Sequence, residues 1–207
     1  MSGWVIVRHV VALAGRVIDH QTGRPIHSAK VRITAAPQVF TNWIESLAKL
    51  YGVRWAGMEE RPDQTRTAPD GHFHFMDLPD GNYTLTTTLP EAGTRFGSAS
   101  ATTTVTRDSA GHIILAATEI RLPPTTVSGL ITGQNNSPVI MAKVLVRGSG
   151  EQVFSDTAGY YLLTGLEAGE RTVEVTARGF QAASRLAVLD QAGTVVILNV
   201  ALAAVTA

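Results

Sequence analysis

The sequence contains one stretch twice. Residues 67–85 read TAPDGHFHFMDLPDGNYTL, and residues 155–173 read SDTAGYYLLTGLEAGERTV. Each position of the second stretch lies 88 residues after its partner in the first, so that Gly71 corresponds to Gly159 and Leu78 to Leu166. A repeat on this scale predicts two copies of one folding unit in tandem.

Each copy of the stretch has the pattern of β-structure. Asp-Gly at 70–71 is typical of a turn, because glycine adopts positive φ without steric penalty. Phe73 and Phe75 then alternate with His72 and His74. Successive side chains of a strand point to opposite faces, so the phenylalanines are expected in the core and the histidines outside.

The motifs around this stretch resemble those of a known family. The chain reads TGRPIHSAKV at 22–31, then T-x-x-DG-x-F-x-F-x-x-LP-x-G-x-Y-x-L, and the second copy ends with ARGF at 177–180 and TVVILNVAL at 194–202. This is similar to the carboxypeptidase regulatory-like domain, a transthyretin-like β-sandwich. The resemblance covers almost all of residues 11–202 apart from one insertion. It implies an all-β fold of two tandem transthyretin-like (Ig-like) antiparallel β-sandwiches, with an amphipathic helix inserted in the first. A shared sandwich does not imply a shared activity.

The repeat predicts three segments. Residues 1–10 form an N-terminal arm or extra strand, residues 11–122 the first sandwich, and residues 123–207 the second, with Pro123 and Pro124 as linker. The arm contains Trp4 in a run of strand-forming residues. Two interpretations stay open for it: an extra strand on its own domain, or a strand added to the sheet edge of a neighbour.

The first copy carries an insertion at about residues 36–63. Between Ile33 and Thr65 lie 31 residues, against 6 between the matching Val146 and Val153, a difference of 25. The apolar residues of this segment share one side of a helical wheel: Phe40, Trp43, Ile44, Leu47, Leu50 and Tyr51. This spacing predicts an amphipathic helix over 40–51 that ends at Gly52. Burying these six side chains would contribute on the order of 10 kcal/mol at most, so the face is expected to dock. It would dock on its own sandwich or, in part and together with Trp55, on another subunit.

The two copies differ on their outward strand faces. The positions of His72 and His74 are occupied by Tyr160 and Leu162 in the second copy. We therefore expect an apolar patch on the second sandwich that the first sandwich lacks. Either the two domains pack there or another chain does.

Charge and composition argue against several partners. Lys plus Arg and Asp plus Glu are both 17, and the formal net charge is zero, which predicts no nucleic-acid binding. There is no cysteine for a disulfide or a thiolate metal site. Lys49 is the single cation on the polar side of the helix, so membrane insertion is not expected. No signal peptide is legible, which predicts synthesis in the cytoplasm, with the product possibly part of a released or cell-surface particle.

Two pairs of residues could carry chemistry. His72 and His74 point the same way and could hold a metal, but no third ligand is legible nearby. Ser46 and Lys49 match S-x-x-K without its companion motifs. The HxxE motif of zinc carboxypeptidases and the Tyr-Arg-Gly-Ser ending of hydroxyisourate hydrolases are both missing. We therefore expect no catalytic residue, no metal and no cofactor.

These observations together favour a non-catalytic structural or assembly protein. Its partners would be protein subunits of a larger complex or other copies of itself, in a setting such as a phage-tail-like or contractile injection particle, a capsid or a filament. One alternative is a carbohydrate- or peptide-binding accessory module using Trp55 and Phe96, and a second is a metal-dependent enzyme using His72 and His74. The candidate contact residues are Trp4, Phe40, Trp43, Leu47, Tyr51, Trp55, Tyr160 and Leu162.

Overall fold

The computed structural model describes residues 9–59 and 61–205. The predicted contact residue Trp4 and most of the N-terminal arm therefore lie outside the described residues. The chain divides into two compact units, Met1–Leu89 with Ser98–Leu122, and Pro90–Gly97 with Pro123–Ala207. Residues 90–97, expected in the first sandwich, are thus part of the second unit.

The first unit is a sandwich of two sheets. Three strands form one sheet in the order β4-β1-β8, and five form the other in the order β3-β2-β5-β6-β7. The strands are β1 Val11–Asp19, β2 Lys30–Ala35, β3 Gln64–Arg66, β4 His72–Met76, β5 Gly81–Thr88, β6 Ala99–Arg107, β7 Ile113–Ile114 and β8 Ala116–Leu122.

The second unit repeats this arrangement. One sheet has the order β12-β9-β15, with β16 also paired to β9, and the other has the order β11-β10-β13-β14. The strands are β9 Thr126–Thr132, β10 Lys143–Val146, β11 Gln152–Phe154, β12 Tyr160–Thr164, β13 Gly169–Thr176, β14 Ala183–Leu189, β15 Val195–Ile197 and β16 Val200–Ala201. Apart from β7 and β16, this is the strand order of the first unit, which confirms the tandem sandwiches.

Two details of the strands differ from a simple antiparallel sandwich. Each sandwich contains a parallel pair, β1 with β8 and β9 with β15, because the closing strand runs beside the first strand in the same direction. The closing strands are also broken. In the first unit the chain changes sheets between β7 and β8, and in the second it is interrupted at Leu198 and Asn199.

The cores follow the predicted alternation. Phe73, Phe75 and Leu85 are 0–4% exposed in the first sandwich, as are Tyr161 and Leu163 in the second. The intervening positions on β4, His72 and His74, face outward. At the preceding turns Gly71 and Gly159 have φ of +79° and +75°. An added Cβ there would meet the backbone oxygens of Val17 and Ile131 at 2.6 and 2.5 Å, so glycine is required at both turns.

The insertion is helical, as predicted. Helix α1 spans Gln38–Tyr51, and Gly52 follows it with a φ of +55°. A 3₁₀ helix, Gly52–Gly57, then leads to β3. The insertion therefore occupies the residues between the end of β2 and the start of β3, in agreement with the predicted range.

Candidate interaction surfaces

The small sheet of the second sandwich presents an apolar outer surface. Across its strands Tyr160 pairs with Leu130, Leu162 with Ser128, and Ser128 with Ile197. Paired residues of neighbouring strands lie on the same face of a sheet. We define the outer apolar face by its apolar members, which are Leu130, Tyr160, Leu162, Val195 and Ile197.

Most of the outer apolar face is open to solvent. The exposed fraction is 41% for Tyr160, 42% for Leu130, 52% for Val195 and 74% for Ile197. Leu162 is half-buried. The remaining positions on this side of β9 and β12 are occupied by serine or threonine, so these described strands place no charge on the face.

The same face of the first sandwich is polar. Arg16 pairs with His72 on one side and with Glu119 on the other. In the second sandwich Leu130 occupies the position of Arg16, and Tyr160 that of His72. The two sandwiches therefore share a fold and differ in the chemistry of one surface, as the sequence contrast at these positions indicated.

Helix α1 is anchored at one end only. Phe40 is 2% exposed, and its ring packs edge-on against Tyr83 with centroids 5.8 Å apart. Trp43 is 47% exposed and Leu50 is 77% exposed, and Leu47 is half-buried. In the single chain the apolar side of the helix is therefore only partly buried, and contact of its remaining part with another subunit stays a prediction. The ring contact of Phe40 with Tyr83 joins the first turn of the helix to β5, and Ile44 and Leu47 in the later turns are half-buried.

The last turn of α1 forms an aromatic cluster of its own. Tyr51 stacks on Trp55 with ring centroids 6.0 Å apart. The Arg61 guanidinium lies 4.6 Å from the centre of the Trp55 ring, which is a cation–π distance. Trp55 is thereby half-buried between two neighbours. Phe96, the second candidate for a carbohydrate or peptide site, is half-buried. Its backbone forms an isolated antiparallel β-bridge with Pro124 within the second unit.

The residues with potential chemistry lie in ordinary surroundings. His72 Nδ1 is 3.1 Å from Asp70 Oδ2, and His74 is exposed on the same strand. Among the described residues no group of three or more metal-ligating side chains comes together. Ser46 Oγ donates a hydrogen bond to the backbone oxygen of Asn42, one helical turn earlier, at 2.8 Å. Lys49 is exposed.

The aspartates at the turns accept hydrogen bonds from the turn backbone. Asp156 Oδ1 accepts from the amides of Ala158 and Tyr160 at 2.9 and 2.8 Å. In the first copy the amide of His72 donates to Asp70 and holds the pKa of that carboxyl below its usual value. These aspartates therefore have a structural role in closing the turns.

Sequence reasoning missed one polar cluster, in the segment Pro90–Gly97. Arg95 Nη1 donates to Glu151 Oε1 at 3.0 Å and to the Gly165 oxygen at 2.7 Å, and its Nε donates to Glu167 Oε1 at 3.1 Å. Thr94 donates to Glu167 through both its amide and its hydroxyl. These partners of Arg95 and Thr94 lie 56–73 residues away in the chain. No local pattern could therefore have indicated this cluster.

The lowered pKa of Glu167 predicts a pH-dependent contribution of this cluster to stability. Hydrogen bonds from Thr94, and then the charge of Arg95, hold the pKa of Glu167 below its usual value. A lowered folded-state pKa stabilises the fold above the unfolded pKa, and this stabilisation is lost as the pH falls through the folded pKa. We expect Glu167→Gln to lower the urea midpoint of unfolding at neutral pH and to match the native chain once the pH is well below 4. A difference that persists in acid would contradict this role for the charge.

The arrangement of the second sandwich agrees with a family comparison. The family model of the carboxypeptidase regulatory-like domain matches residues 126–203. The second sandwich is a carboxypeptidase regulatory-like domain. The first sandwich repeats the strand order of this regulatory-like domain and adds α1 and β7 to it. The comparison with curated proteins finds no match.

Solved structures include several with a loose similarity to the chain. The shaft pilin SpaA from Lactobacillus rhamnosus GG is 12% identical with a TM-score of 0.43, over 97% of this chain and 98% of the pilin. The minor pilin GBS52 from Streptococcus agalactiae is 13% identical with a TM-score of 0.35, over 94% and 96%. The Bacillus anthracis TIE protein is 14% identical with a TM-score of 0.40, over 94% of this chain and 34% of that one. The chain thus spans about a third of the TIE protein, and at these TM-scores the likenesses carry no inference about function.

A search for membrane-spanning helices among the described residues identified none of sufficient length and apolar character.

Proposed function

We propose that the chain is a non-catalytic structural protein that makes subunit contacts in a larger assembly through the outer apolar face. The observation that carries the proposal is the exposure of Leu130, Tyr160, Val195 and Ile197 together on one sheet. In the first sandwich Arg16 occupies the position of Leu130, and His72 that of Tyr160. The proposal assigns the chain no cofactor and no metal.

The physical argument concerns the free energy of leaving this surface in water. Burying one large aliphatic or aromatic side chain contributes roughly 1.5–3 kcal/mol when burial is complete. Contiguous exposed apolar patches are uncommon on monomeric proteins and mark interaction sites. Arg16 and His72 of the first sandwich occupy the positions of Leu130 and Tyr160, so the fold does not require apolar residues at these two positions.

The partner that fits this surface best is a second copy of the chain. The described strands place no charge on the outer apolar face, so two copies of the face can meet without burying an unpaired charge. The formal net charge of zero also removes long-range repulsion between copies. A two-fold contact of this kind pairs the same patch on both subunits. It would be the first subunit contact of a multi-subunit particle such as a capsid, a filament or an injection apparatus.

Exchanging residues between the two sandwiches tests the proposal. The double variant Tyr160→His and Leu162→His installs the outward residues of the first sandwich in the second. We expect the native chain to self-associate in a concentration series measured by light scattering with size-exclusion chromatography. We expect the double variant to associate at least about tenfold more weakly, a loss of about 1.4 kcal/mol.

The matched control is the double variant His72→Ala and His74→Ala on the equivalent strand of the first sandwich. Its association should equal that of the native chain, because these residues lie outside the outer apolar face. A native chain that is monomeric at every concentration would overturn the proposed self-association. Equal loss of association in both double variants would place the contact elsewhere.

A further inference from the structure

Helix α1 carries a stripe of exposed side chains along one side. Val39, Trp43 and Leu50 are 70%, 47% and 77% exposed, and Ser46 is exposed as well. With about 100° between successive residues of a helix, these four side chains lie within about 60° of one another around its axis. We call this stripe the outer seam. It lies beside the buried side of the helix, to which Phe40 belongs.

The outer seam has the spacing of a coiled-coil contact. Its members follow one another at intervals of four, three and four residues. The two apolar positions of a heptad repeat alternate in the same way, and this alternation keeps the stripe turned toward a partner helix. The seam is continuous over about three helical turns. Its shape therefore suits another helix as its partner.

The order of large and small side chains makes the outer seam complementary to itself. When two copies of α1 pair in antiparallel directions about residues 44 and 45, Trp43 of each copy lies opposite Ser46 of the other. Val39 then lies opposite Leu50. Each large ring meets a small side chain, so the contact fills without overlap. A parallel pair would set the two Trp43 rings against each other and leave a gap between the two Ser46 side chains. We propose that two copies of the chain associate through their outer seams as an antiparallel helix pair.

The seam can be covered without leaving its polar atoms unpaired. Ser46 Oγ donates to the backbone oxygen of Asn42 at 2.8 Å within the helix, so its hydroxyl keeps a partner when water is excluded. The helix has two charged residues, Glu45 and Lys49, and both lie outside the seam. In the antiparallel pair the two Lys49 residues are about 13 Å apart along the axis, so the contact creates no close pair of like charges.

Trp43 is supported by the core of the first sandwich. Its ring packs edge-on against Phe40 with centroids 5.7 Å apart. Phe40 packs in turn against Tyr83 of β5, at 5.8 Å. A side chain that is already held in place loses little conformational freedom on association. Trp43 is therefore the expected anchor of the helix pair, since buried aromatic residues carry much of the binding energy of an interface.

The helix pair gives the chain a second surface for self-association. One pair of short helices buries less than the roughly 1,200 Å² of a standard interface, so we expect a weak contact. A two-fold contact closes on itself, so either contact alone produces a dimer. Two different two-fold contacts on one chain extend the assembly into a filament. Filament growth rests on the proposed function, because it also needs the outer apolar face, whereas the helix pair does not.

Disulfide cross-linking tests the direction of the two helices. The native chain contains no cysteine, so an introduced thiol is the only one present. All variants are made in the Tyr160→His and Leu162→His chain, which we call the outer-face variant, so that the outer apolar face does not contribute. The Val39→Cys chain is mixed with the Leu50→Cys chain and oxidised, and cross-linked dimers are followed by electrophoresis.

The mixture is expected to cross-link and the separate chains are not. Residues 39 and 50 of two copies lie opposite each other in the antiparallel pair, whereas either residue lies about 16 Å along the axis from its own copy. A disulfide needs Cα atoms about 4.4–6.8 Å apart, so we expect the mixture to cross-link at least about tenfold faster than either variant alone.

A matched pair of lysine substitutions measures the contribution of the seam. Leu50→Lys places a charge in the outer seam, and Ile114→Lys places one on β7, where Ile114 is 52% exposed. Sedimentation equilibrium is measured in the outer-face variant. We expect Leu50→Lys to weaken association at least about tenfold, because the charge would lose water in the contact, and Ile114→Lys to leave it unchanged. Both positions are exposed, so both substitutions are expected to preserve the fold.

Three results would overturn the helix pair. Cross-linking of each cysteine variant with itself would show parallel helices. Equal effects of Leu50→Lys and Ile114→Lys would show that the seam is not in contact. Cross-links from Leu50→Cys to an Ile197→Cys chain with an intact outer apolar face, without cross-links to Val39→Cys, would show that the helix docks on that face of a neighbour.

The outcomes for the two surfaces are separable. An outer-face variant that is monomeric at every concentration would overturn the helix pair and leave the proposed function standing. An outer-face variant that associates as strongly as the native chain, and loses this association with Leu50→Lys, would support the helix pair and overturn the contact through the outer apolar face.

Discussion

Replacing Gly129 by alanine is expected to destabilise the second sandwich strongly. Gly129 lies in the middle of β9, opposite Tyr161 on β12. A Cβ at this position would overlap the carbonyl oxygen of Leu198 and lie 2.6 Å from the carbonyl carbon. That oxygen cannot move away easily, because the Tyr161 hydroxyl donates to it at 2.7 Å. We expect a loss of about 3 kcal/mol or more, the upper range for overpacking a close-packed site.

The equivalent glycine of the first sandwich supplies an independent measurement. A Cβ at Gly15 would overlap the Phe73 ring and lie 2.6 Å from the Thr118 oxygen. Gly15→Ala should therefore destabilise the first sandwich by a comparable amount. Tryptophan fluorescence during urea unfolding reports on the first sandwich, because all three tryptophans lie within residues 1–55. Circular dichroism reports on both.

The control for both substitutions is Gly57→Ala. A Cβ at Gly57 meets nothing within 4 Å, so its unfolding midpoint should stay close to that of the native chain. A loss of less than about 1 kcal/mol for Gly129→Ala, within the range of ordinary substitutions, would show that the closing strand can shift to accept a methyl group.

The second large effect is expected from a buried hydroxyl that occurs in both copies. Thr67 Oγ1 donates to the Ile26 oxygen at 2.7 Å and accepts from the amide of Ala29 at 2.9 Å. Ser155, 88 residues later, donates to the Val139 oxygen at 2.6 Å and accepts from the amide of Ala142 at 2.9 Å. Each hydroxyl thus satisfies two backbone groups at the start of the repeated stretch.

Removing either hydroxyl leaves an amide and a carbonyl without this partner in a buried site. An unsatisfied buried polar group costs about 1–3 kcal/mol. We expect Thr67→Val and Ser155→Ala each to lower the free energy of unfolding by about 2–3 kcal/mol, measured by urea titration. The two changes should be additive, since they lie in different sandwiches.

Exposed residues of the same types are the controls. Thr102 on β6 and Ser184 on β14 are exposed, and their substitution by valine and alanine should change stability by less than about 0.5 kcal/mol. If Thr67→Val were equally mild, water would have to replace the hydroxyl in the core, and the proposed role of the side chain would be wrong.

The sequence by itself determined the parts of this fold that depend on near neighbours in the chain. Alternation at Phe73 and Phe75 identified the buried face of β4, and the repeat of this pattern 88 residues later predicted the second sandwich. Helical spacing in the insertion predicted α1 and its end at Gly52. These predictions succeed because the side-chain periods of strands and helices, and the positive φ of glycine, are local properties.

The tertiary structure alone decided which distant residues meet. The parallel pairing of β1 with β8 and the placement of Arg95 against Glu151 and Glu167 both join segments far apart in the chain. Likewise, only the structure decided that Trp43 and Leu50 stay exposed on a helix whose pattern predicted burial. The physical reason is that an amphipathic pattern specifies which side of an element is apolar. The geometry of the surrounding strands determines whether that side is covered.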